Sequence, residues 1–242
     1  MTGARRIETS VLYSPAWFVP FDEFAGRPRA VDVTVELDRF EDSENEWAPQ
    51  ETPVVRTPSA ALAYPGLGRR GGPGPGRYRA RFGAPGYAPL YPADGEPFTA
   101  DALGVEFRVH PYDETRPPAT PAVPRLVRLL PGAAFPYGPG VRTVYGVVVD
   151  EVTRAPVPNA LVKAEGTTSV DGVGWRERTL TDARGVFRLA LRWEGGRHDP
   201  PDERETFRLE AIERLGRAGS LEILLPRDRD RRHVIEIVSQ QQ

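Results

Sequence analysis

Residues 144–191 read VYGVVVDEVTRAPVPNALVKAEGTTSVDGVGWRERTLTDARGVFRLAL, and the fold class turns on them. Thr143–Asp150 is a run of β-branched and aromatic residues, which predicts a strand. Residues 151–157 form a turn that sends the chain back into a second strand over residues 159–164. Residues 179–189 repeat the pattern as strand, tight turn and strand. In the turn Asp182-Ala183-Arg184-Gly185 the aspartate can accept backbone N–H bonds and the glycine can take a positive φ. Two such units build most of a small antiparallel β-sandwich.

Working outward, residues 207–212, 221–225 and 233–238 supply later strands of the same module, while residues 191–205 read as an elongated polar loop. Upstream, Val31, Val33, Val35 and Leu37 alternate with Asp32, Thr34 and Glu36, the pattern of a half-buried strand. Short strands are expected at residues 54–56 and 60–64, and alternating ones at residues 78–82 and 105–109. DRFEDSENEW (residues 38–47) reads as a solvated acidic loop. It lacks the regular oxygen spacing and central glycine of a calcium loop. Residues 113–124, DETRPPATPAVP, favour extended polyproline II, and residues 125–131 read as a strand crossing between domains. With 26 prolines and 24 glycines in 242 residues, helices are few and the chain is all-β. The expectation is two small antiparallel β-sandwich domains joined by a Pro-rich connector. Residues 1–30 form an arm and first strand, 31–113 the first sandwich, 114–140 the connector and 141–242 the second sandwich.

Several function classes drop out. The chain contains no cysteine, so thiolate chemistry and Cys-ligated zinc are excluded. A net charge of −2 gives no field favouring nucleic acid or anionic lipid, so neither nucleic acid nor membrane is an expected partner. The first 24 residues lack an apolar core of the secretory type, and no run spans a bilayer; the expected compartment is cytoplasmic. His110, His198 and His233 show no local metal-ligand spacing. Gly-x-Ser-x-Gly is absent, and residues 66–72 lack the Walker spacing. The acidic pairs Glu44/Glu46 and Asp199/Asp202 sit in charge-rich loops. No catalytic, cofactor-binding or metal residues are expected, and the chain reads as a non-enzyme.

Two sets of residues remain as interface candidates. Trp17, Phe18, Phe21 and Phe24 either pack on their own core or form an arm that docks on a neighbouring subunit. Trp193 and His198 lie in the polar loop after Leu191. A second reading is a glycan- or peptide-binding module that uses Trp17, Trp47, Trp175 or Trp193 as stacking platforms.

The second module also resembles a family. Gly146-Val147-Val148-Val149-Asp150, Pro156-Val157-Pro158-Asn159-Ala160-Leu161-Val162 and Thr181-Asp182-Ala183-Arg184-Gly185-Val186-Phe187 together resemble the carboxypeptidase regulatory-like domain. That resemblance implies a transthyretin-like sandwich of about seven strands acting as an accessory scaffold. RTPSAALAYPGLGR, YAPLYP and LLPGAAFPYGPG, followed by such a domain, look like cap or collar adaptor proteins of phage-tail-like contractile injection systems. This likeness implies a structural subunit that meets tube, sheath or cap proteins in a homo-oligomeric ring of sixfold symmetry.

Overall fold

The computed structural model describes residues 13–29, 32–113, 118, 122–167, 172–192 and 205–239. Among these there is no helix; the chain is all-β, as its prolines, glycines and short alternating runs require.

The first sandwich contains β1 (Trp17–Asp22), β2 (Arg27–Pro28), β3 (Thr34–Glu41), β4 (Glu46–Gln50), β5 (Val55–Arg56), β6 (Leu62–Ala63), β7 (Gly76–Gly83), β8 (Tyr87–Leu90), β9 (Val105–Val109) and β10 (Arg125–Pro131). One layer runs β5-β6-β1-β10-β8, with β2 paired to β1; the other runs β4-β3-β7-β9. β7 shows how the sequence forms them. Tyr78, Ala80 and Phe82 point into the core while Arg77, Arg79 and Arg81 alternate outward, the two-residue period of a half-buried strand. The core between the layers joins Phe18, Leu37, Leu62, Tyr64, Leu67, Tyr78, Val105, Val127 and Leu129.

The second sandwich contains β11 (Thr143–Asp150), β12 (Leu161–Thr167), β13 (Gly174–Leu180), β14 (Val186–Ala190), β15 (Glu205–Arg214), β16 (Arg217–Leu225) and β17 (Arg232–Ser239). Its seven strands follow the order β13-β12-β15-β16-β17-β11-β14. β16 and β17 share only two residue pairs. The sheet folds over at that corner, so β13-β12-β15-β16 faces β17-β11-β14. Val148, Val162, Phe187, Leu209, Ile223 and Ile235 fill the space between.

The structure departs from the sequence expectations in three places: strand direction, residues 38–47 and the connector. The sandwiches are antiparallel apart from two parallel pairs, β1 with β10 and β11 with β17. Residues 38–47 are not a loop: they form most of the β3–β4 hairpin, with Phe40 opposite Trp47 and a turn at residues 42–45. Residues 1–30, expected to hold an arm and a first strand, contain β1, which lies inside its sheet between β6 and β10. The connector expected over residues 114–140 contains β10, which pairs along all but the first residue of β1. The chain passes to the second sandwich only after Pro131.

Candidate functional site

The place where most unusual chemistry converges is the junction of the two sandwiches. Its apolar part is a cluster of Leu90 and Leu130 from the first sandwich with Leu161 and Leu180 from the second, flanked by Ala88 and Phe98. The polar part is built around Glu23, just past the end of β1. Arg178 of β13 donates to it twice, Nε to Oε1 at 2.5 Å and Nη2 to Oε2 at 2.6 Å. Arg128 of β10 donates to Oε2 at 3.0 Å and also reaches Asp94. Burial pushes the Glu23 carboxyl up, but the Arg178 and Arg128 guanidinium groups outweigh it and hold the group below its ordinary value. Nearby Glu177 is the opposite case: burial raises it, Arg192 offsets only part of that, and the charge of Glu23 adds to the rise. A paired buried carboxylate stays ionised, whereas a poorly compensated one drifts toward its neutral form.

A strap of residues 131–137 crosses this junction. The Pro131 carbonyl accepts from Thr179 Oγ1 at 2.6 Å, and the Phe135 carbonyl from Arg188 Nη1 at 3.3 Å. Tyr137 lies under the Arg188 guanidinium, 5.0 Å from its ring centroid. Its hydroxyl donates to the Arg188 carbonyl at 3.5 Å and meets the backbone N–H of Ala190. Phe24 packs edge-on against Phe135 and Tyr137, and Tyr87 against Phe135. A further tie links the Ala100 N–H to the Glu213 carbonyl at 2.8 Å. A cleft of about 300 Å³ opens beside it, lined by Pro89, Tyr91, Phe98, Leu103, Asn159 and Leu180.

The predicted interface residues scatter across this arrangement. Phe18 is 2% exposed in the first core, packed against Phe82 and Phe107; it corrects the docking-arm reading, because the alternation of β1 turns it inward. Phe24 belongs to the internal junction, and half-buried Phe21 lies under Arg128. Trp17 is half-buried on β1. Trp193 and His198 lie outside the described residues. Of the proposed stacking platforms, Trp175 is 6% exposed in the second core. Trp47 is occupied by Phe40 edge-on and by Arg79, 4.5 Å from its centroid. Among the described residues, no three histidine or carboxylate side chains gather as a metal site would require. Sequence reasoning missed Glu23, Arg178 and Tyr137, because nothing in their local context marks residues 155 positions apart as partners.

No family model matches the sequence, and no curated protein is significantly similar to it. The solved structures it resembles include a streptococcal ancillary pilin, at 12% identity and a TM-score of 0.30, covering 97% of this chain and 65% of that one. A DUF3823 family protein from Bacteroides uniformis aligns at 13% identity and a TM-score of 0.32, covering 88% of this chain and all of that one. The major pilin subunit of Bacillus cereus aligns at 10% identity and 0.27, covering 91% and 68%. The chain thus spans just under two thirds of the streptococcal pilin's length. Likenesses of this size are not an argument for any one family or function.

Proposed function

We propose that the chain is a non-catalytic structural subunit of a large bacterial assembly in the cytoplasm. Its particular place in this reading is the cap or collar of a phage-tail-like contractile injection system, in a homo-oligomeric ring against tube, sheath or cap proteins. The observation that supports it is the welded junction. Domains in one chain ordinarily move relative to one another unless the contact between them is extensive. Here Glu23, the leucine cluster and the 131–137 strap hold two sandwiches at a fixed spacing, which suits a spacer in a particle. The segments carrying the adaptor likeness build this block. RTPSAALAYPGLGR supplies Arg56 of β5, all of β6 and the buried residues Ala60 to Tyr64; YAPLYP supplies β8; LLPGAAFPYGPG supplies the end of β10 and the strap. Sedimentation of native lysate tests the reading. The chain is expected in the high-mass fraction with rings or tubes visible by negative stain; recovery as a soluble monomer alone would overturn it.

A further inference from the structure

A strand at the end of a sheet presents unpaired N–H and C=O groups and invites another strand unless something blunts it. Most of the terminal strands here are blunted. β4 carries Pro49, β8 carries Pro89 and β2 carries Pro28, while two-residue β5 lies between Pro53 and Pro58. β14 has the Tyr137 hydroxyl on its outer edge. β13 is tied into the junction through Arg178 and Thr179, and Val173 and Trp175 at its other end have further partners.

β9 is the exception. It pairs with β7 on one side, and among the described residues no backbone hydrogen bond ends on its other side. It holds no proline, and Pro111 closes the edge two residues past its end. Val105 and Val109 face the core and Phe107 packs at its margin, while Glu106 and Arg108 face solvent. Arg108 lies directly across from Arg77, a like-charge pair, and Arg77 turns instead to Glu106 at 3.2 Å. Like charges directly opposite on neighbouring strands are unfavourable. Arg108 makes no ion pair among the described residues.

We propose that β9 is a docking edge for a second copy of this chain, with two β9 strands pairing antiparallel about a two-fold axis at Phe107. The sequence Val-Glu-Phe-Arg-Val is its own complement in that register. Glu106 falls opposite the partner copy's Arg108 and Arg108 opposite its Glu106. Val105 falls opposite the other copy's Val109, and the two Phe107 rings meet on the core side. Side chains alternate faces, so only shifts by whole pairs keep the apolar face inward. The nearest such shifts set Glu106 against Glu106 or Arg108 against Arg108, so charge selects the register. The result is one continuous eight-stranded sheet across an isologous contact. Five residues a side is a small interface, so the dimer falls among weak, reversible ones.

This inference does not depend on the particle reading. Dimerisation of the purified chain and co-sedimentation from lysate report on the two separately. The test is sedimentation velocity of the purified full chain over a concentration series reaching about 0.2 mM, with thermal melts as a folding control. The wild type is expected to move from monomer to dimer. Glu106→Arg and Arg108→Glu are each expected to weaken dimerisation by about tenfold or more, because each sets two like pairs across the axis. The double variant, Glu106→Arg with Arg108→Glu, is expected to recover it. Arg108→Glu also removes the like-charge contact with Arg77, so it should dissociate the dimer without lowering the melting temperature. A wild type that stays monomeric overturns the proposal. So does a dimer indifferent to either charge reversal, or a double variant no better than the single ones.

Discussion

At Glu23 two guanidinium groups from different sandwiches converge on one carboxylate. Arg178 and Glu23 are both nearly withdrawn from water, with side-chain exposures of 9% and 12%. Removing one partner of such a pair leaves the other buried without compensation. Glu23→Ala is therefore expected to lower stability by on the order of 2–4 kcal/mol, read by chemical denaturation. The pH dependence follows from the direction of the shift. The folded-state value of Glu23 lies below its ordinary 4.5, so its contribution is complete above that ordinary value and is lost as pH falls through the folded one. Glu177 runs the other way. Its folded value is raised, so it costs stability above that value, and the cost disappears in acid. Glu177→Gln is expected to raise the melting temperature at neutral pH, with a benefit that shrinks as pH drops toward 4.5. A loss at neutral pH would contradict the burial account.

Among the elements, the turn between β13 and β14 was legible because its mechanism is local. Asp182 Oδ1 accepts the N–H groups of Arg184 and Val186, both at 2.9 Å, and Gly185 has φ +71°. A Cβ at Gly185 would also lie 2.6 Å from the Val148 carbonyl. Gly185→Ala is expected to cost about 1–3 kcal/mol, measured as a shift in denaturation midpoint. The β3–β4 hairpin was misread because its outward face looks like a polar loop. Asp38 is only 2% exposed, covered by Arg79 and Arg81, which both donate to it. Those arginines lie about 40 residues further along, and no window on residues 38–47 contains them. β10 was legible as a strand, but its parallel partner β1 lies over 100 residues earlier, which no local pattern encodes. The strap is equally non-local. Tyr137→Phe is expected to free the outer edge of β14 at a cost of about 1 kcal/mol, with faster amide exchange at Ala190 as the sensitive readout.

For the molecule as a whole, periodicity and turn chemistry revealed two sandwiches but not their coupling. A proline-rich stretch suggested a separating connector, whereas the chain after it forms a strand of the first body and then straps down the second. Of the candidate interface rings, Phe18 and Phe24 serve the interior, since aromatic residues look alike in sequence whether they anchor a core or a partner. The edge at β9 escaped notice for a different reason. Its five residues read correctly as a strand, but whether an edge is open depends on every other strand's neighbour. The structural role proposed here needs the two sandwiches to act as one rigid block, and differential scanning calorimetry of the full chain addresses that most directly. One cooperative transition is expected, with matching calorimetric and van't Hoff enthalpies, and Glu23→Ala should broaden or split it. Two separate transitions in the unaltered chain would contradict the account.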